Sequence, residues 1–139
     1  MSGTFELDPR LAEDTTLIGR SEGGQVRLMD DARWPWLVLV PELPGASQLH
    51  ELEAEDAARI LSTSLAISRA MTRALPHRRI NVGALGNVVS QLHVHHVLRQ
   101  AGDPAWPGPV WGHGEAERYA PAERDATVER WRRELAELL

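Results

Sequence analysis

Gln91, His93 and His95 alternate with Leu92 and Val94 inside the segment GNVVSQLHVHHVLR, residues 86–99. On a strand that period of two sends like residues to one face, in a row spaced by about 6.6 Å. Imidazole has an unperturbed pKa of about 6.5, so near neutrality it serves either as an uncharged nucleophile or as a charged anion ligand. Two imidazoles and an amide in one row have the chemistry to grip a phosphate. Three of the chain's six histidines fall between His93 and His96. His96 is expected to face the opposite side of the sheet, as a structural residue at the helix packing or at a dimer interface.

A chain of 139 residues is long enough to bury a core and short enough to be one domain. Its formal net charge of −5 argues against a nucleic acid duplex or general polyanion as partner, while leaving room for arginines around one small anion. All 15 basic residues are Arg. The absence of cysteine excludes disulfides, thiolate catalysis and cysteine-rich zinc sites, and fits a reducing compartment. The opening MSGTFELDPRLAEDTT is polar and acidic, unlike a signal peptide. No apolar run approaches the roughly 20 residues of a membrane span, so a soluble, cytoplasmic protein without a membrane partner is expected.

The elements that must position the row are legible from periodicity. Pro9 suits the first position of a short helical turn over residues 8–13. Residues 16–18 suggest a short strand, residues 25–29 alternate, DDAR turns, and residues 36–40 form an apolar run, which together predict a hairpin. PELPGAS is a loop. Over residues 53–75 the stripes Ala57, Leu61, Leu65 and Ile60, Ser64, Ile67, Met71 predict a long helix. Its acidic start, basic end and Pro76 stop agree with the helix dipole and with helix punctuation. Residues 79–82 and 88–98 predict two more strands. AGDPAWPGPVWG is a loop whose two tryptophans need cover, and residues 122–138 predict a final amphipathic helix carrying Val128, Trp131, Leu135 and Leu138. The expected class is α+β: an antiparallel sheet packed by one long helix, plus a C-terminal helix.

The order polar-apolar-His-apolar-His, preceded by Gly86 and Asn87 and followed by RQAGD, resembles the signature of the histidine triad (HIT) family, His-φ-His-φ-His-φ-φ with φ apolar. The likeness extends to the LVLVP hairpin end, the long helix after it, and the strand Ile80-Asn81-Val82. The signature core spans about residues 16–103 of a single domain 1–139, with residues 104–139 as C-terminal loop and helix. The flanking GN and AGD look most like the fragile-histidine-triad branch, and the whole chain looks like small bacterial proteins of the family.

That resemblance implies a HIT-like fold and a homodimer. It also implies a nucleotide phosphohydrolase or nucleotidyl transferase that acts on a nucleotide or nucleotide conjugate through a nucleotidyl-histidine and needs no cofactor or metal. His93 matches the attacking histidine, and His95 and Asn87 match phosphate ligands. Asn81 is either a ribose or phosphate contact or a residue satisfying the strand backbone. Asn87 has the alternative of a turn residue, and Arg99 is a phosphate contact or a strand-end charge. Gln91 stands at the first histidine's place, where its amide can hydrogen-bond but cannot carry charge or relay a proton near pH 7. Trp36 takes a hairpin position where many members carry a further histidine, and suits a pocket wall. Two alternatives remain in view: a nucleotide-binding module with reduced or no catalysis, and a small metalloprotein. In the latter His93 and His95 would be joined by His50, His77, His113 or a carboxylate.

Overall fold

A computed structural model describes residues 3–139. In chain order it contains α1 (Pro9–Asp14), β1 (Thr15–Ser21), β2 (Gly24–Met29), β3 (Trp36–Val40), a 3-10 turn (Leu49–Glu51), α2 (Ala54–Ala74), β4 (Arg79–Gly83), β5 (Val94–Arg99) and α3 (Pro121–Glu134). The five strands form one antiparallel sheet in the order β1-β2-β3-β5-β4. The expected α+β architecture is what forms. Among the described residues no helix is long and apolar enough to cross a membrane.

The central strand β3, WLVLV, is buried at every position because both sheet faces are covered. Leu37 and Leu39 join Ile18, Val26, Leu28 and Leu98 beneath α2 and α3. Trp36, Val38 and Val40 join Leu11, Trp34, Val97 and Val110 on the opposite face, under α1 and the segment after β5. The turn from β1 into β2 depends on Gly24, whose φ is +134° and where a Cβ would stand 2.2 Å from the Val40 carbonyl oxygen. Only glycine fits that combination of backbone and space.

Three elements depart from their predicted form. The long helix buries Ile60, Thr63, Ser64, Ile67, Ala70 and Met71, whereas Leu61 and Leu65 lie exposed. A helix can bury one broad stripe against a sheet, and the stripe holding Ser64 wins because buried His96 hydrogen-bonds its hydroxyl. α3 ends at Glu134 rather than 138, with Leu135 still packed in the core beside Val128 and Trp131.

The histidine strand begins at Val94, not at residue 88. Pairing with β3 stops at Leu39↔Val94, shortly before Pro41, and pairing with β4 stops at Gly83↔His95. Residues 84–93 therefore lie outside the ladder and are held by other contacts. The Leu92 amide donates to the Ala46 carbonyl at 3.0 Å, and the Ser47 hydroxyl to the Ser90 carbonyl at 2.9 Å.

Candidate active site

β5 carries His95 and His96 to opposite sides of the sheet, as a two-residue period requires. His96 is fully buried, with Nε2 2.7 Å from the Ser64 hydroxyl on α2 and Nδ1 3.3 Å from the Leu37 carbonyl. A carbonyl can only accept, so Nδ1 carries the hydrogen and Ser64 donates to Nε2. Burial pushes the His96 pKa down to about 4. His96 is structural, as its position predicted.

His95 faces the other way, toward His93, Trp36 and Trp111. The Trp36 indole N–H donates to His95 Nδ1 at 3.0 Å. Trp36 pairs with Val97, which makes it the diagonal cross-strand neighbour of His95 on one face. Indole nitrogen is a donor only, so the His95 Nδ1 is its acceptor and the neutral ring bears its hydrogen on Nε2. Burial, with His93 and His96 nearby, pushes the His95 pKa down to about 3, which keeps the ring neutral near pH 7. His95 is thus an uncharged N–H donor.

His93 has the complementary arrangement. Its Nδ1 lies 2.7 Å from the Gln91 carbonyl oxygen, so Nδ1 donates and the lone pair of a neutral ring sits on Nε2. The two rings meet edge to face with centroids 4.8 Å apart. A lone pair on one imidazole beside an N–H on the next is the pairing a nucleophile and an anion-holding donor require.

Both rings open onto a cavity of about 300 Å³ walled by Trp36, Asn87, Val89 and Trp111, with α1 closing one side through Leu11. Trp111 packs on His95 at 5.6 Å between centroids, which gives one of the loop tryptophans its cover. A second opening of about 270 Å³, lined by Ser47, Gln48, His50 and Gln91, meets the first at His93. A ligand reaching His93 can extend both ways. Replacing Trp36 with Phe is expected to mix the two neutral tautomers of His95 and to cost about 1–3 kcal/mol of stability. Nitrogen-15 NMR of the imidazoles and urea denaturation check this; an unchanged His95 tautomer would sink the assignment.

The other sequence-predicted residues divide between the edge of these openings and the body of the fold. Gln91 does not turn its amide to a phosphate: Oε1 accepts from the Asp8 N–H at 2.9 Å and Nε2 donates to the Glu6 carbonyl at 2.8 Å. Arg99, 2% exposed, donates to both Asp103 carboxylate oxygens, to Asn81 Oδ1 and to the Gly108 carbonyl. The guanidinium holds the Asp103 carboxyl well below the usual carboxylate range. Arg99 and Asn81 therefore tie β4, β5 and the following loop together, and neither lines the cavity. Asn87 is exposed on the cavity rim.

Among the described residues, no group of three or more histidines and carboxylates is placed to hold a metal ion. The His113 ring packs on Trp34 and its carbonyl accepts from Arg33, while His77 occupies a turn with φ 66°. The pairing of Trp36 with His95, the wall formed by Trp111 and the part played by the N-terminal arm were missed by sequence reasoning. Each links residues far apart in the chain, and no local spacing signals it.

Comparison with known proteins adds a lineage to this geometry. The HIT domain family model matches residues 10–102. A histidine triad protein from Marinobacter aquaeolei is 42% identical with a TM-score of 0.94, covering 99% of this chain and 100% of its own. One from Sinorhizobium meliloti is 43% identical with a TM-score of 0.86, covering 98% of each chain. Another, from Bradyrhizobium japonicum, is 36% identical with a TM-score of 0.89, covering 95% of this chain and 98% of that one. No curated protein matches the chain.

Proposed function

Because this chain belongs to the histidine triad family, whose members generally bind nucleotides and act on them, we propose that it is a nucleotide phosphohydrolase or nucleotidyl transferase. It acts at the α-phosphate, and residues 1–139 form one domain of that kind. The observation that carries this reading is the pair of opposed tautomers: His93 with Nε2 free and His95 with Nε2–H offered, side by side at a cavity.

His93 Nε2 attacks the α-phosphorus; an N–P bond forms, and the bond to the leaving group breaks with its electron pair going to that group. Water then cleaves the N–P bond, which releases a nucleoside monophosphate and restores the imidazole. In a transferase another acceptor takes the place of water. The His95 N–H and the Asn87 amide hold phosphate oxygens as charge builds on them, and such preplaced donors are commonly the largest single contribution to catalysis. Trp36, Val89 and Trp111 supply an apolar wall for the nucleoside.

The test is incubation with dinucleoside polyphosphates, adenosine phosphoramidate and aminoacyl adenylates, rapid acid-free quenching, and mass mapping of the peptides. A nucleotidyl group on His93 is expected. Turnover accompanied by an adduct on another residue overturns the assignment.

The same reading includes a homodimer. β4 is an edge strand, and Val82 on it, Leu85 and Val88 beyond it, and Leu61 and Leu65 on α2 are all exposed. Large apolar side chains beside an open edge favour pairing with a second copy. Sedimentation at micromolar concentration is expected to give twice the chain mass, and Val82→Arg to give a monomer. A monomeric parent protein overturns the dimer.

A further inference from the structure

We infer that Gln91 is a positioning residue through which the N-terminal arm holds His93: its side-chain amide grips the arm while its main-chain carbonyl grips the His93 ring. The inference rests on the reading of His93 as the reactive histidine. Three hydrogen bonds meet at this residue: Nε2 donates to the Glu6 carbonyl at 2.8 Å, Oε1 accepts from the Asp8 N–H at 2.9 Å, and the main-chain carbonyl accepts from His93 Nδ1 at 2.7 Å.

The two arm contacts flank Leu7, so the Gln91 amide pairs with the arm much as one residue of a neighbouring parallel strand does with its own N–H and C=O. That pairing needs a donor and an acceptor side by side on one planar group, which an amide has. An imidazole at this position has two nitrogens that diverge around a five-membered ring and cannot meet both groups of one extended segment. A carboxylate can accept from Asp8 but sets oxygen against the Glu6 carbonyl. Glutamine at the first place of the signature thus has a specific partner in this chain.

Restraint is needed there because residues 84–93 lie outside the ladder. Ser90 and Leu92 are held from one side by Ser47 and Ala46. Gln91, between them, is held from the other side by the arm. Asp8 also begins α1, where its Oδ1 accepts from the Arg10 N–H at 2.8 Å, and α1 places Leu11 in the wall of the His93 cavity. One segment therefore both closes the cavity and steadies the carbonyl that sets the His93 tautomer. With the arm released, the ring loses its lock while the sheet remains.

The experiment is nitrogen-15 NMR of the histidine rings in the full chain, comparing Gln91→Ala, Asp8→Pro and Asp8→Ala. Asp8 has φ −54° and already precedes a proline, so Asp8→Pro deletes the N–H that Gln91 accepts at little backbone cost. Both Asp8 variants lose the helix cap, so their difference isolates that N–H. Gln91→Ala and Asp8→Pro are expected to mix the His93 tautomers and to speed exchange of its Nδ1 hydrogen roughly tenfold. Asp8→Ala is expected to leave both unchanged.

For any nucleotide turned over, the first two variants lower kcat with KM unchanged. Unchanged His93 signals in Gln91→Ala and Asp8→Pro overturn the inference, as does an equal change in Asp8→Ala. Should Gln91→Ala fail to fold, the Asp8 pair decides alone. The ring signals need no substrate, so this outcome is distinguishable from failure of the nucleotidyl reading.

Discussion

Replacing His93 with alanine is expected to lower turnover of the nucleotide substrate by roughly 10⁴-fold or more, the scale on which an enzyme loses its attacking atom. Binding should change much less, because the aromatic wall and the Asn87 rim remain. Fold stability should also be largely retained, since the His93 ring makes one protein hydrogen bond, to the carbonyl two residues before it. The measurement is single-turnover hydrolysis beside calorimetric binding of the nucleoside monophosphate. Parent and variant that bind equally and both fail to turn over any nucleotide leave a binding module instead of an enzyme. Equal turnover by the two removes His93 from the reaction. His95→Ala is expected to have a smaller effect than His93→Ala, because in the proposed reaction it removes a donor and not the nucleophile.

The second large effect is acid lability. His95 and His96 have folded pKa values pushed down to about 3 and about 4 by burial, against about 6.5 in an unfolded chain. Between those limits the unfolded chain binds two more protons than the folded one, so stability rises with pH. Their contribution is fully present above about pH 6.5 and is lost as pH falls toward the folded values. The slope approaches about 2.7 kcal/mol per pH unit, and from pH 7.5 to 5 the loss is about 4 kcal/mol. Domains of this size hold roughly 5–15 kcal/mol in total, so unfolding by pH 4 is expected. Urea denaturation at pH 7.5, 6 and 5 measures it. A slope under about 1 kcal/mol per pH unit contradicts the burial of two neutral imidazoles, and His96→Leu should halve the slope.

These expectations differ in how early they could be read. That His93 and His95 share one face was legible in their spacing, and the rings do meet there; the HIT resemblance of the signature is matched by the family over residues 10–102. β3 was predicted at its observed bounds, and α2 to within a residue at each end. Both are long apolar patterns with clear stops. The role of Gln91 was not legible, because its partners lie more than 80 residues earlier in the chain. Trp36 could be read as a wall but not as the group that sets the His95 tautomer, a contact that exists only once β3 and β5 are in register. Arg99 and Asn81 suited a phosphate by type, yet the fold uses them on each other and on Asp103.

By itself the sequence determined the family signature, the elements and the order in which they occur. Those follow from residue types at periods of two and about 3.6, which are local and survive without neighbours. Tertiary structure alone decided which nitrogen of each histidine carries the hydrogen, where the strand begins and which helix stripe is buried. Each of those depends on a partner brought from a distant part of the chain, whether the indole of Trp36, the loss of strand neighbours near Pro41 or the ring of His96. The row that opens as three similar polar groups resolves into a lone pair on His93, a donor on His95 and an amide on Gln91 that faces the arm.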